Sequence, residues 1–199
     1  MDWVGDPVWL GVAGVVGLVA GTLALLHDKA GGSQLEIPLD LLPRIARGAD
    51  CIDNEQWWEV GKSLQGAAWA TIAGSGPEGT DPWDVLWQAA EQGESSGVRV
   101  GWAIHNLIAA NGGQDERLQK GLARHANSLE QNEQNQDWAL LDEYSRRTSL
   151  HQSDLIWISE VGHRSPKLGD VPPPPLPPPS EDAEDDPFGG EEDPFGAEE

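Results

Sequence analysis

The sequence predicts a mostly α-helical protein with one N-terminal transmembrane helix, a small helical domain and a disordered, proline-rich and acidic C-terminal tail. Three observations predict this. Residues 8–26 carry no charge and, apart from Thr22, no strong polar group. Residues from about 35 to 165 place apolar side chains at helical spacing between glycine, proline and capping residues. Beyond Pro166 the composition turns to proline and then to Asp and Glu.

The apolar run comes first. At about 1.5 Å per residue it makes a helix of roughly 28 Å, close to the hydrocarbon thickness of a bilayer. Within lipid the backbone has to satisfy its own hydrogen bonds, which a helix does. Asp6 is placed to cap it and Pro7 fits its first turn, so the transmembrane helix is expected over about 7–26. Trp3 and Trp9 fall where an interfacial aromatic belt lies, and His27, Asp28 and Lys29 are expected to end the run in water. A cleaved signal peptide fits poorly, because Asp2 and Asp6 replace its basic leader. No Lys or Arg precedes the run, whereas Lys29, Arg44 and Arg47 follow it. The positive-inside rule therefore puts the N-terminus outside and the C-terminal domain in the cytoplasm. Ala13, Gly17 and Gly21 form a small-residue stripe that contains a GxxxG, an arrangement suited to helix–helix packing and homo-oligomers through the membrane helix.

Residues 1–29 are thus read as the anchor and 30–165 as a compact helical domain. Two prolines within 35–43 forbid a long helix there, leaving an extended lead-in and one turn. Asp53 or Asn54 is placed to cap a helix running to about residue 73, with Trp57, Val60, Leu64, Ala68 and Ile72 on its buried face and Trp58 off that stripe. The next helix has the cleanest start, with Asp81 as cap, Pro82 in the first position and Asp84 near the positive end of the dipole. Its stripe is Trp83, Leu86, Trp87 and Ala90. A third helix, capped by Ser95 or Ser96, carries Val100, Ile104, Leu107 and Ile108 and is apolar enough to be central. A fourth covers about 114–129, the polar stretch 131–136 is a loop or exposed bridge, and Trp138, Leu141 and Tyr144 mark a helix ending near Arg146 and Arg147. The run 155–158 reads as either a helical turn or a short strand.

Residues 166–179 form a proline-rich spacer. Seven prolines between 172 and 179, broken by Leu176, give a stiff polyproline II segment of about 25 Å. Residues 180–199 hold ten acidic residues and are expected to be disordered. They also hold the one repeat: Asp185-Asp186-Pro187-Phe188-Gly189 is echoed by Glu192-Asp193-Pro194-Phe195-Gly196. Phe188 and Phe195 are the only phenylalanines of the chain. An aromatic on an acidic, flexible segment is a poor core residue and a good anchor for a hydrophobic pocket rimmed by Lys or Arg. Two copies raise effective concentration. The partner-binding residues are therefore Asp186, Pro187, Phe188, Asp193, Pro194 and Phe195.

Composition narrows the remaining classes. The chain carries 34 acidic and 12 basic residues, a formal charge of −22, and the balance is negative without the tail. Nucleic-acid binding needs a basic footprint and is not expected. A lone Cys51 permits neither an internal disulfide nor a cysteine zinc site. The five histidines, His27, His105, His125, His151 and His163, include no i, i+3 or i, i+4 pair, so no metal and no cofactor is expected. Glu94-Ser95-Ser96-Gly97 resembles a glutamate–serine pair of some cell-wall lytic enzymes, but the flanking pattern of that family is missing. The expectation is a membrane-anchored adaptor or scaffold with no catalytic residues, whose partners are the bilayer and a protein with a basic-rimmed hydrophobic pocket. The alternatives are a structural protein of a viral or cellular envelope and, third, a membrane-tethered hydrolase in which Glu94 would be the first carboxylate to test.

Overall fold

The computed structural model describes residues 7–173, with side chains from Gly11 onward apart from Ala30. Among the described residues there are seven α-helices and no strand: α1 Pro7–Ala30, α2 Leu41–Ala49, α3 Val60–Thr71, α4 Pro82–Glu94, α5 Val100–Asn111, α6 Asp115–Gln131 and α7 Ala139–Val161. The tail motifs at Asp186–Phe188 and Asp193–Phe195, and Trp3 at the other end, lie outside the described residues.

Helix α5 is the centre, buried over Val100–Ala109 and packed against α3, α4, α6 and α7. One apolar core joins Leu25 and Leu26 of α1, Leu42 and Ile45 of α2, Val60 and Leu64 of α3, Leu86 of α4, and Ile104 and Ile108 of α5. A smaller cluster on the far side of α5 holds Ala109, Leu118, Leu122 and Leu168.

Helix α1 is long and apolar enough to cross a membrane over Gly11–Lys29, with mean hydropathy 1.6. It also packs along its own domain. A Cβ on Gly11 would meet the Trp57 ring at 2.8 Å, and a Cβ on Gly48 would meet Leu18 at 3.1 Å. Val15, Thr22, Leu25 and Leu26 are buried. The small-residue stripe is divided: Gly21 faces Ile45 and Leu41 of α2, whereas Ala13 is exposed and Gly17 looks into open space. His27 and Lys29 are exposed, but Asp28 is not. Its carboxylate accepts the backbone N–H groups of Leu35 (2.7 Å) and Ile37 (2.9 Å), which ties down the connection to α2.

Four local expectations are corrected. Neither Ser95 nor Ser96 caps the third helix: α5 begins at Val100 after Arg99, and the Ser95 hydroxyl donates to the Gln92 carbonyl at the end of α4. The segment read as a lead-in opens into α2, with Pro43 inside its first turn, where the missing N–H has no helical partner to lose. The helix expected from Asp53 or Asn54 begins only at Val60. The Asn54 side chain instead accepts the Lys62 N–H at 2.9 Å, and Trp58 and Glu59 take left-handed φ angles of 50° and 58°. Each such residue costs about 1–2 kcal/mol, offset here by burial: Trp57 and Trp58 both enter the core, and Trp58 stacks edge-on against Trp138 at 4.5 Å. The helix expected to stop near Arg147 runs on to Val161, taking in the ambiguous 155–158. No glycine or proline interrupts 139–161, and the buried face of α7 is polar, so apolar periodicity could not reveal it. After α7 the chain crosses the surface and packs again at Leu168, and the Trp157 indole N–H donates to the Asp170 carbonyl at 3.1 Å.

Candidate functional site: a tryptophan-lined groove beside a closed polar core

Two polar regions flank α5, one sealed and one open. The sealed one begins at Arg99, just before α5. Its guanidinium donates to Asp142 Oδ2 (2.7 Å), Ser128 Oγ (3.1 Å), and the carbonyls of Gly97 (3.4 Å), Ser128 (3.2 Å) and Asn132 (2.5 Å). Asp142 Oδ1 also accepts the Arg99 backbone N–H at 2.9 Å. The two side chains are only 1% and 2% exposed. With every donor used, the pair fastens the α4–α5 loop to the end of α6 and the start of α7.

A second buried chain of groups crosses α5, α6 and α7. His105 Nδ1 lies 3.2 Å from Asn106 Oδ1, Asn106 Nδ2 donates to Ser149 Oγ at 3.0 Å, and Ser149 Oγ lies 2.9 Å from His125 Nδ1. Gly121 makes this possible, because a Cβ there would collide with Asn106 Oδ1 and with the His105 ring. His125 Nε2 is buried without a partner. Burial, then the positive charges of Arg99 and Arg146, push the His125 pKa down to about 3, so the ring is neutral. Glu94 belongs to the same sealed region: Oε2 accepts the Trp102 indole N–H at 2.7 Å and Oε1 accepts Arg124 at 2.5 Å. Both of its oxygens are engaged in holding α4 to α5 and α6.

The open region sits on the other side of His105. The Asp81 side chain accepts the Trp83 N–H at 2.8 Å and fixes the start of α4 as its sequence predicts. Trp83 and Trp87 then project one turn apart. His105 is ringed edge-on by Trp83 (5.8 Å), Trp87 (5.6 Å) and Trp102 (5.8 Å). The Asn106 oxygen takes the Nδ1 hydrogen of the neutral ring, which leaves Nε2 as the acceptor. Burial, reinforced by Arg117, lowers the His105 pKa against the opposing hydrogen bond from Asn106. The Arg117 guanidinium lies over the Trp83 ring at 4.9 Å from its centroid.

Two adjoining cavities share Trp83 and Gln114. One, of about 630 Å³, is bordered by Trp87, His105, Arg117 and Lys120 together with Asp84, Asp115 and Glu116. The other, of about 530 Å³, is bordered by Leu26, Lys29, Ala70 and Ile108 and by no carboxylate. Among the described residues no cluster of three or more His, Cys, Asp or Glu side chains is placed to hold a metal ion. The sequence pattern puts Trp83 and Trp87 on one helix stripe and gives His105 no metal-ligand spacing; it does not bring them together with Arg117 and Lys120. The groups come from three helices, and only the clustering of tryptophans hinted at a site. The chain matches no family model, no curated protein and no solved structure.

Proposed function

We propose that this protein is a single-pass membrane-anchored adaptor, with its N-terminus outside and its helical domain in the cytoplasm. It recruits a protein with a basic-rimmed hydrophobic pocket through the acidic Asp-Pro-Phe repeats of its tail. The observation that carries this reading is the repeat itself, which puts the only two phenylalanines of the chain in equivalent positions among ten carboxylates. Several features support it. Lys29, Arg44 and Arg47 follow the apolar helix. The chain is held at Leu168 and Asp170, so the proline run starts from a fixed point on the domain. The carboxylates best placed for chemistry, Glu94 and Asp142, are occupied by Arg and Trp donors.

The test uses the full-length protein as bait, with and without Phe188→Ala and Phe195→Ala. The double variant should lose a partner that wild type captures saturably, and capture that survives it sinks the motif. Sidedness is read separately at Cys51, the single and exposed thiol. A membrane-impermeant maleimide on intact cells should leave it unlabelled, while a permeant one labels it.

A second reading rests on the packing of α1. Gly11 against Trp57 and Leu18 against Gly48 place one whole face of the helix on its own domain. In this reading α1 stays docked as a domain helix, and alkaline carbonate would release the chain from membranes. Retention in the membrane pellet favours the anchor.

A further inference from the structure

The chain carries a pocket with the chemistry its own tail would seek. All twelve Lys and Arg residues fall within the described part of this very acidic protein. Eight of them are tied to carboxylates: Arg44, Lys62, Arg99, Arg124, Arg146, Arg147, Arg164 and Lys167. The four with no ion pair among the described residues are Lys29, Arg47, Arg117 and Lys120, and three of these border the two cavities around Trp83. Elsewhere every cation but Arg47 is paired with a carboxylate; here three without an ion pair among the described residues border the cavities beside one indole.

We infer that the Asp-Pro-Phe repeats of the tail dock, within the same chain, into the groove on either side of Trp83. The side bordered by Leu26, Ala70, Ile108 and Lys29 is large enough for a phenyl ring and has no carboxylate along it. Carboxylates preceding each Phe then lie within reach of Lys29 on that side and of Arg117 and Lys120 across Trp83. Asp84, Asp115 and Glu116 also border the Trp87 side, so the phenyl ring belongs on the Lys29 side. Chain length permits the return. The packed strap ends against Gln119 and Leu122 of α6, the helix that also supplies Arg117 and Lys120. From Pro172 to Phe188 the chain can span up to about 50 Å, and the stiff part expected within it, about 25 Å, leaves enough for the rest to fold back. A docked tail is withheld from a partner, and a partner's pocket has to compete with the groove.

This inference rests on reading the repeats as a binding motif, and the experiment separates the two. The full-length protein in lipid nanodiscs is labelled with ¹⁵N, and the indole N–H resonance of Trp83 is identified with Trp83→Phe. In wild type this resonance should sit at a docked position, moving with added salt toward its position in Phe188→Ala/Phe195→Ala. Lys29→Glu and Lys120→Glu, both at exposed sites, should move it the same way. Free peptide of residues 180–199 added to the double-alanine chain should return it saturably to the wild-type position. A Trp83 resonance unchanged by the double alanine overturns the inference. A wild-type position that changes on tenfold dilution overturns docking within one chain and assigns the tail to a second copy. Loss of partner capture with an unmoved Trp83 leaves recruitment standing without self-docking; a moved Trp83 with capture intact does the reverse.

Discussion

The two longest helices obey opposite rules. Helix α1 is apolar around most of its circumference, yet only one face is packed, and Val16 on the other is 60% exposed. Helix α7 turns Asp142, Ser145, Ser149, Gln152 and Ser153 inward and leaves Leu140, Tyr144, Leu155 and Ile158 outside, Leu140 at 87% exposure. Composition alone makes α1 look inserted and α7 look marginal. Leu141, Leu150 and Ile156 of α7 are half-buried against the core and Trp157 is buried near its end, but the buried face before it is held by hydrogen bonding: Asp142 to Arg99 and Ser149 to His125 and Asn106. A buried polar face is stable only when its members are satisfied. The contrast teaches that packing against the same domain can be reached by apolar contact on one side and by polar pairing on the other.

The strongest way to break the comparison is at Asp142. Asp142→Ala leaves the Arg99 guanidinium buried without its counter-charge. It should cost about 3–5 kcal/mol in chemical denaturation, enough to unfold a marginal domain. A loss below about 1 kcal/mol would mean that the polar face does not hold α7. Gly121→Ala comes next. Its methyl group displaces the Asn106 and His105 side chains, and overpacking of this kind costs about 1–3 kcal/mol. Urea denaturation reads it, and the indole resonances of Trp83 and Trp87 should move as His105 shifts.

The third prediction concerns pH. The folded His125 does not take up a proton until about pH 3, whereas the unfolded chain does so near its ordinary value of 6.5. Between those values the unfolded state binds more protons, so stability rises with pH and falls on acidification. One such group gives a slope of about 1.4 kcal/mol per pH unit. His105 acts in the same direction. Above about pH 5.5 the carboxylates, whose ordinary values lie at about 4–4.5, are still almost fully ionised in both states, which leaves the histidines in view. His125→Asn keeps a group able to bond Ser149 and should flatten the slope there; an unchanged slope shows that His125 is not buried neutral.

The smallest effect sharpens the α1 side. Gly17→Ala adds a methyl group into open space in the middle of α1, so it should stabilise the domain by helix propensity alone, about 0.5–1 kcal/mol. Gly48→Ala, whose methyl presses on Leu18, should destabilise instead. Equal effects would show that α1 is not docked along α2.

Helix α4 was legible to its first residue, because an Asp cap followed by proline is a local instruction that packing did not override. The core character of α5 was legible for a similar reason, since apolar residues occupy most of its circumference around His105 and Asn106. Helix α2 was hidden by Pro43, which is harmless only because it falls in a first turn. The late start of α3 depends on Trp58 finding Trp57 and Trp138, the last some eighty residues away in sequence. Of the groove, only Trp83 and Trp87 shared a visible pattern; His105, Lys29, Arg117 and Lys120 joined them through the crossing of α1, α4, α5 and α6.

By itself the sequence determined the helical class, an apolar N-terminal helix of membrane length and the duplicated acidic motif, because each depends on neighbours within a few turns of chain. The tertiary structure alone decided that one face of α1 packs on its own domain, that α7 is continuous, and that three cations without an ion pair among the described residues border the cavities on either side of Trp83. Those outcomes depend on burial and charge pairing between distant residues, and no local pattern encodes which polar groups will find a partner.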